Sequence, residues 1–474
     1  MYFLQLKFEL RRLARSPLTW LLLLCLLVFF GFSFYSSSQH LHRKAESVNA
    51  MLEAQQKELT AQSLLADSLR RGTAEVAGWW QDPTNPIVVG GIWRGGRVVV
   101  VPPQPNNYLA LGMQDLRPDA WLLRMTGKQA RGDVEFENPV NLSFGAFDLA
   151  FVIAFLLPLL VIALSFDLIS AERELGTLPM LRAQPVMGRK LFFAKALARF
   201  SLLAAAALLA LLPFFLLAGV SPFSAAGLGT VVLVLLSLLL WFLVALGINL
   251  LGGNSAVNAL QCVGAWLIIA LLLPVLANML SEKLSPIPSR AAFLNSERAT
   301  DKYLEESRED RLSAFYQQHP NYERKSEEEQ DWRDYYRELL GLMPQEDAIR
   351  DSINRPFDEQ IAAQEALSEK LLWLSPSLSI YAQLGVLAGT DREAGQSLEA
   401  EAEQLRQRWS GWFTDLFMEE KAVDASAYAA IAAFPSTVET EPPSPSYRGV
   451  LGLLLQCLLA GAWCFWVAQR RMVQ

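Results

Sequence analysis

The stretch FSLLAAAALLALLPFFLLAGVSPFSAAGLGTVVLVLLSLLLWFLVALGINLLGGNSAVNALQCVGAWLIIALLLPVLANMLS, Phe200–Ser281, runs for 82 residues without an Asp, Glu, Lys or Arg. A soluble core needs no such run. A bilayer crossed several times does, because each helical crossing takes about 20 apolar residues. Two turn-rich stretches, Gly219–Gly227 and Gly252–Ser255, cut the run into three spans. Working outward, similar apolar segments give six spans in all: Leu18–Tyr35, Leu149–Phe166, Phe200–Leu217, Leu228–Asn249, Val257–Met279 and Val450–Ala468. Pro158, Pro213 and Pro274 fall inside spans and are expected to kink them. Of the 474 residues, 52% are hydrophobic and 19% charged, and this segregated composition excludes a disordered chain, a collagen and a disulfide scaffold. The first span follows a basic start, but its apolar stretch is longer than a signal core and no small-x-small cleavage site follows. It reads as an uncleaved anchor.

Basic residues set orientation. Lys7, Arg11, Arg12 and Arg15 precede span one; Arg173, Arg182, Arg189, Lys190 and Lys195 lie between spans two and three; Arg470 and Arg471 follow span six. With six spans these segments share one side, the expected cytoplasmic side, which carries both termini. The loops Ser37–Gly145 and Ser281–Tyr447 then fall outside. The second carries 32 acidic and 17 basic residues, net −15, against +8 for the rest of the chain and −7 overall. The low pI of 5.3 therefore describes one external loop and points to no nucleic-acid partner. The expected fold is an all-α polytopic membrane protein, six transmembrane helices with two large, mainly helical extracytoplasmic insertions and a small β-hairpin in the first. The expected divisions are an amphipathic helix at 1–16, span one at 17–36, the first insertion at 37–146, spans two to five at 147–280 with a coupling segment at 167–195, the second insertion at 281–447, and span six with its tail at 448–474.

In the N-terminal helix Phe3, Leu6, Leu10 and Leu13 share a face, which suits a helix lying in the headgroup region or an ordinary basic flank. In the first insertion a long polar helix, His40–Arg71, carries Leu41, Val48, Leu52 and Leu59 as a narrow stripe like a coiled-coil seam, and it can simply extend span one. Ile87-Val-Val and Arg97–Val101, separated by Gly90, Gly91, Gly95 and Gly96, read as the hairpin. The second insertion reads as helices at Glu297–Gln318, Glu323–Leu342, Pro344–Leu374 and Ala394–Lys421, followed by a linker at Pro435–Tyr447. In the last of these helices Leu405, Trp409, Trp412, Phe413, Leu416 and Phe417 form an apolar face expected to pack within the domain.

Catalytic patterns are missing. There is no G-x-x-x-x-G-K-[ST] and no H-E-x-x-H, and Gly253-Asn-Ser255-Ala-Val257 lacks the second glycine of a nucleophile elbow. His40-x-His42 has no third ligand nearby. Cys25, Cys262, Cys457 and Cys464 all sit in apolar runs, where Cys is a small apolar residue. No span carries a charge in its middle; Asp148, Asp167, Lys195 and Arg199 lie at span ends, which disfavours an ion-driven pump. Asn254, Asn258, Gln261 and Gln456 are the polar exceptions, accounted for by bonds between helices.

One segment looks specialised: Phe166-Asp-Leu-Ile-Ser-Ala-Glu-Arg-Glu-Leu-Gly-Thr-Leu178, followed by Pro185-Val-Met-Gly-Arg-Lys190 and Lys195. Taken alone it is a helix C-terminus with solvated charges. In context it resembles the signature of type-2 ABC exporter permeases, in which an acidic-basic-acidic helix followed by Gly-Thr docks into a cleft on the ATPase subunit. Asp167, Glu172, Arg173, Glu174, Gly176, Thr177, Pro185, Arg189 and Lys195 carry the match. Asn107–Pro118, Asn138-Pro139, Gly145–Asp148, Leu374-Ser-Pro376 and Leu387–Asp391 resemble the branch with two large external insertions, a domain of unknown function. The resemblance implies a permease subunit of an ABC exporter in a bacterial inner membrane. Its partners would be an ABC ATPase subunit, a second permease subunit of the same or a paralogous kind, membrane lipid and a periplasmic protein. It implies no enzyme activity and no cofactor in this chain, with ATP and Mg on the partner ATPase. Asp167, Glu172, Arg173, Glu174, Gly176, Thr177 and Arg189 would form the docking set. The large insertions also suit an alternative, an ATP-driven mechanotransmitter or assembly scaffold acting on periplasmic partners without transport.

Overall fold

In the computed structural model, residues 2–112, 117–131, 147–176, 188–287, 289–322, 332–438 and 447–472 are described. Among them six helices are long and apolar enough to cross a membrane. After the N-terminal α1 (Tyr2–Ala14), these are α2 (Pro17–Arg70), α4 (Leu149–Glu174), α5 (Gly188–Ala218), α6 (Ala225–Leu250), α7 (Ser255–Leu284) and α14 (Tyr447–Met472). All six expected spans lie inside them. Leu26, Phe30, Leu157, Val161, Leu211, Phe215, Leu233 and Trp241 belong to their common buried core. The side of this bundle carrying both termini is here the terminal side and the other the insertion side.

Span one does not stop at the end of its apolar segment. α2 is a single helix of 54 residues, about 80 Å long at 1.5 Å per residue. Its outer part buries Leu41, Lys44, Val48, Gln55, Leu59 and Ala66, so the stripe read from the sequence is real. It packs on a sheet around Val48 and, farther along, through Leu59 and Ala66 on helices of the second insertion. Strands β1 (Arg97–Val100), β2 (Ala120–Arg124) and β3 (Gly127–Arg131) form an antiparallel sheet in that order, with Val100 opposite Ala120 and Val99 opposite Trp121. Period-two alternation gives the sheet two apolar faces. Val100 and Ala120 cluster with Val48 of α2. Val99, Val101, Trp121 and Leu123 cluster with Leu398, Ala402 and Leu405 of α12 (Arg392–Met418) on the opposite face.

The hairpin expected at 87–101 is corrected. Pro86–Gly90 is a short helix, α3: Asn85 caps it by accepting from the Ile87 N–H at 3.2 Å, Pro86 occupies its first turn, and Gly91 closes it at φ 88°. Start and stop signals outweigh the β-branched residues between them. The Val-rich run 97–100 is a strand, but its partner is 120–124, and the hairpin is β2–β3.

The second insertion is helical with different boundaries. The helix expected at Glu297–Gln318 is two, α8 (Arg290–Glu306) and α9 (Arg308–Gln318), parted at Ser307. α10 (Trp332–Leu372) runs through Pro344, where a boundary was expected, and through Pro356. The part of that expectation at 323–331 lies outside the described residues, as does linker 439–446. α11 (Pro376–Ala388) has no counterpart in the sequence reading. Its Ile380, Leu384, Leu387 and Ala388 join the core cluster of the spans. The chain bends by 119° between α10 and the α11–α12 stretch, so α11 re-enters the bundle from the insertion side.

Farther out, Trp409, Phe413 and Phe417 of α12 are buried with Leu59, Ile87, Met125 and Tyr428, the last from α13 (Ala425–Ala433), and Trp412 is half-buried. The Trp409 indole N–H donates to the Gly90 carbonyl at 2.9 Å. The aromatic face therefore packs within the insertions.

Candidate functional site

The acidic-basic-acidic segment lies at the terminal-side end of α4. Its last helical turn is Ser170–Glu174, ending at Gly176, whose φ of 69° is the left-handed conformation that glycine adopts without strain. The structure brings Asp167, Glu172, Arg173, Glu174 and Lys195 together with residues of α1, α5, α6 and α7. Thr177 and Pro185 lie outside the described residues, and Arg189 lies in the first turn of α5.

Most of the charges point back into the protein. One Glu172 carboxylate oxygen accepts from Lys195 Nζ and from Arg12 Nη1, each at 2.9 Å. Lys195 is 6% exposed, so Glu172 neutralises a buried ammonium. The Glu172 bond also holds the Arg12 guanidinium above its ordinary pKa. Asp167 accepts from Arg199 Nη1 at 2.5 Å, and the same nitrogen reaches the Leu164 carbonyl at 2.6 Å.

The other two charges grip the turn between spans four and five. Arg173 donates to the carbonyls of Gly252 and Gly253. Glu174 accepts from the backbone N–H of Ser255 at 2.7 Å and from its hydroxyl at 3.0 Å. Asn254 also caps α7, accepting from the Val257 N–H at 2.8 Å. Glu174 thus supplies a negative charge at the positive end of span five, where unpaired N–H groups await an acceptor. Beneath this, the buried Asn249 donates to the Ser165 carbonyl at 3.0 Å and accepts from the Ile169 N–H at 3.3 Å, tying span four to the segment.

What remains outward is a small tip. Leu175 is 69% exposed, between the exposed Glu174 and Gly176. It is the apolar side chain of an otherwise polar turn whose neighbours are held by their bonds to α1, α5 and α7. The docking set read from the sequence contains the segment but omits Leu175, Arg12, Asn249 and Ser255. Asn249 was visible as a lone amide ending an apolar span; nothing local marked the others.

The external motifs also meet. The Asn107 amide donates to the Ala388 carbonyl at 2.9 Å. Asp148 caps α4, accepting from the N–H groups of Phe151 at 2.7 Å and Leu111 at 2.9 Å. Arg117 donates to the Asp391 carbonyl, and a Cβ on Gly112 would lie 2.6 Å from the Thr390 hydroxyl. Residues 107–112, 117, 148 and 388–391 thus form one clasp joining both insertions to the insertion-side end of span two. Residues 113–116, 138–139 and 145–146 of those motifs lie outside the described residues.

Among the described residues no group of His, Cys, Asp and Glu could hold a metal ion. No curated protein and no solved structure gives a significant match to the chain. A family model described as ABC-2 family transporter protein matches residues 6–465, nearly the whole length. The chain belongs to this family: it is a multi-pass membrane protein, the permease component of an ABC transporter.

Proposed function

We propose that this permease is the exporter subunit of a bacterial inner-membrane ABC system, with the terminal side cytoplasmic and both insertions periplasmic. A separate ABC ATPase docks on the tip at Arg173–Gly176, and a second permease subunit, the same or paralogous, completes the membrane part. ATP and Mg belong to the ATPase; this chain contributes no catalytic group. The observation that carries the reading is the braced tip. Leu175 faces outward, while the residues around it connect to α1 through Arg12, to α5 through Lys195 and Arg199, and to α7 through Ser255. A push on the tip is delivered to spans two, three and five as one body. The ligand that biases the two states is ATP on the partner, since only differential affinity shifts such an equilibrium.

A tagged chain purified in mild detergent should bring down an ABC ATPase. Leu175→Asp should cut the recovered ATPase about tenfold while leaving membrane yield unchanged, as for an interface hot spot. Wild-type recovery with the variant overturns the docking site. A second reading, mechanical work on periplasmic partners without transport, is favoured by α2, which carries span one outward without a break. ATP-dependent substrate movement in sealed vesicles separates the two: movement supports export, and its absence with intact ATP turnover supports the second.

A further inference from the structure

Spans two and five each contain one π-helical turn, Val152–Leu156 in α4 and Leu267–Leu272 in α7. Each turn runs directly into a proline. In α4 the last wide bond of the series is Leu157 N–H to the Val152 carbonyl. The next donor would be residue 158, a proline with no N–H, so the Ile153 carbonyl is orphaned. In α7 the last such bond is Leu273 N–H to the Ile268 carbonyl, and Pro274 orphans the Ile269 carbonyl in the same way.

Both orphans are answered by a serine hydroxyl from another element. Ser237 of α6 donates to the Ile153 carbonyl at 3.3 Å. Ser375, which also caps α11, donates to the Ile269 carbonyl at 3.0 Å. The two turns are also joined directly: the indole N–H of Trp266, the residue before the α7 turn, donates to the carbonyl of Phe155 inside the α4 turn at 3.2 Å. Helices bend where a π turn or proline has removed ladder bonds, and here both devices coincide twice and touch.

We propose that the two π turns form a single hinge, latched by Ser237 and Ser375 and coupled through Trp266. With the hydroxyls engaged both helices hold their present geometry; when either latch opens, both turns loosen together. Because Ser375 begins α11, that bending is handed to the re-entrant helix and through Asn107 to the clasp outside. The mechanical use of the hinge rests on the proposed function, whereas the hinge itself is a property of this chain alone.

The test is amide hydrogen exchange on the full chain in mild detergent, without any ATPase, so that a failure of docking does not affect it. Ser237→Ala alters only the α4 side, and should raise exchange about fivefold to tenfold at 152–157, as for one lost hydrogen bond at a local opening. The claim of one hinge requires a comparable rise at 267–273, where no atom has changed. Ser375→Ala should do the reverse as well, and Ser375→Thr, which keeps the hydroxyl, should match wild type. Trp266→Phe should confine each serine's effect to its own turn. Pro158→Ala and Pro274→Ala, which restore a donor, should slow exchange at both turns. A rise confined to the altered turn with Trp266 intact, or none at either, overturns the proposal.

Discussion

At the scale of single residues, Glu172 and Glu174 look alike in the sequence and do different work. Glu172 is a structural counter-ion: it satisfies the buried Lys195 and recruits Arg12. Removing one member of such a pair leaves an uncompensated buried charge, so Glu172→Gln should destabilise the chain by about 3 kcal/mol. Glu174 closes the N-terminus of span five, and Glu174→Ala should cost about 1 kcal/mol, the usual worth of a cap. Thermal melting of the purified chain in detergent orders them; an equal or inverted order would contradict the roles assigned. Leu175→Asp should leave melting close to its wild-type value, since the side chain is largely exposed. The identity of the charged residues was legible from their pattern, but their partners were not. Arg12 lies 160 residues from Glu172, and only the fold brings it near.

At the scale of elements, the apolar spans were legible because lipid leaves helices little alternative to continuous apolar surface. Water-facing elements follow weaker rules. Ile87-Val-Val reads as strand by side-chain type, yet Asn85-Pro86 and Gly91 fix it as a helix. Pro344 reads as a boundary, yet α10 runs through it. α11 was missed because its 13 residues are too few to cross a membrane, and its burial is evident only against the spans. The aromatic face of α12 was legible, since four large rings on one face require a dry partner. Its central member is Trp409, fully buried and bonded to Gly90, whereas Trp412 is only half-buried. Trp409→Ala should therefore destabilise the insertions by about 3–5 kcal/mol and lower the yield of folded protein. Trp412→Ala should cost clearly less. Denaturation followed by tryptophan fluorescence compares them, and equal costs would contradict the packing described.

At the scale of the whole molecule, the two ends of span two are anchored differently. Its terminal-side end is braced to α1, α5 and α7 around an exposed tip, and its insertion-side end is bonded through Asp148 to the first insertion, which Asn107 and Arg117 tie to the second. On the proposed function, one helix links the ATPase-docking tip to the insertions, which is the account's central claim. In a chain lacking Cys25, Cys262, Cys457 and Cys464, single cysteines at Leu64 and Tyr303 should react with an impermeant thiol reagent from the periplasmic side. A cysteine at Leu175 should be protected until the membrane is opened. The most direct measurement places a photo-crosslinking residue at position 175 and, as control, at 303, in native membranes. The account predicts that 175 captures an ABC ATPase and 303 does not. Capture of the ATPase at 303, or none at 175 while the ATPase still co-purifies, would contradict it.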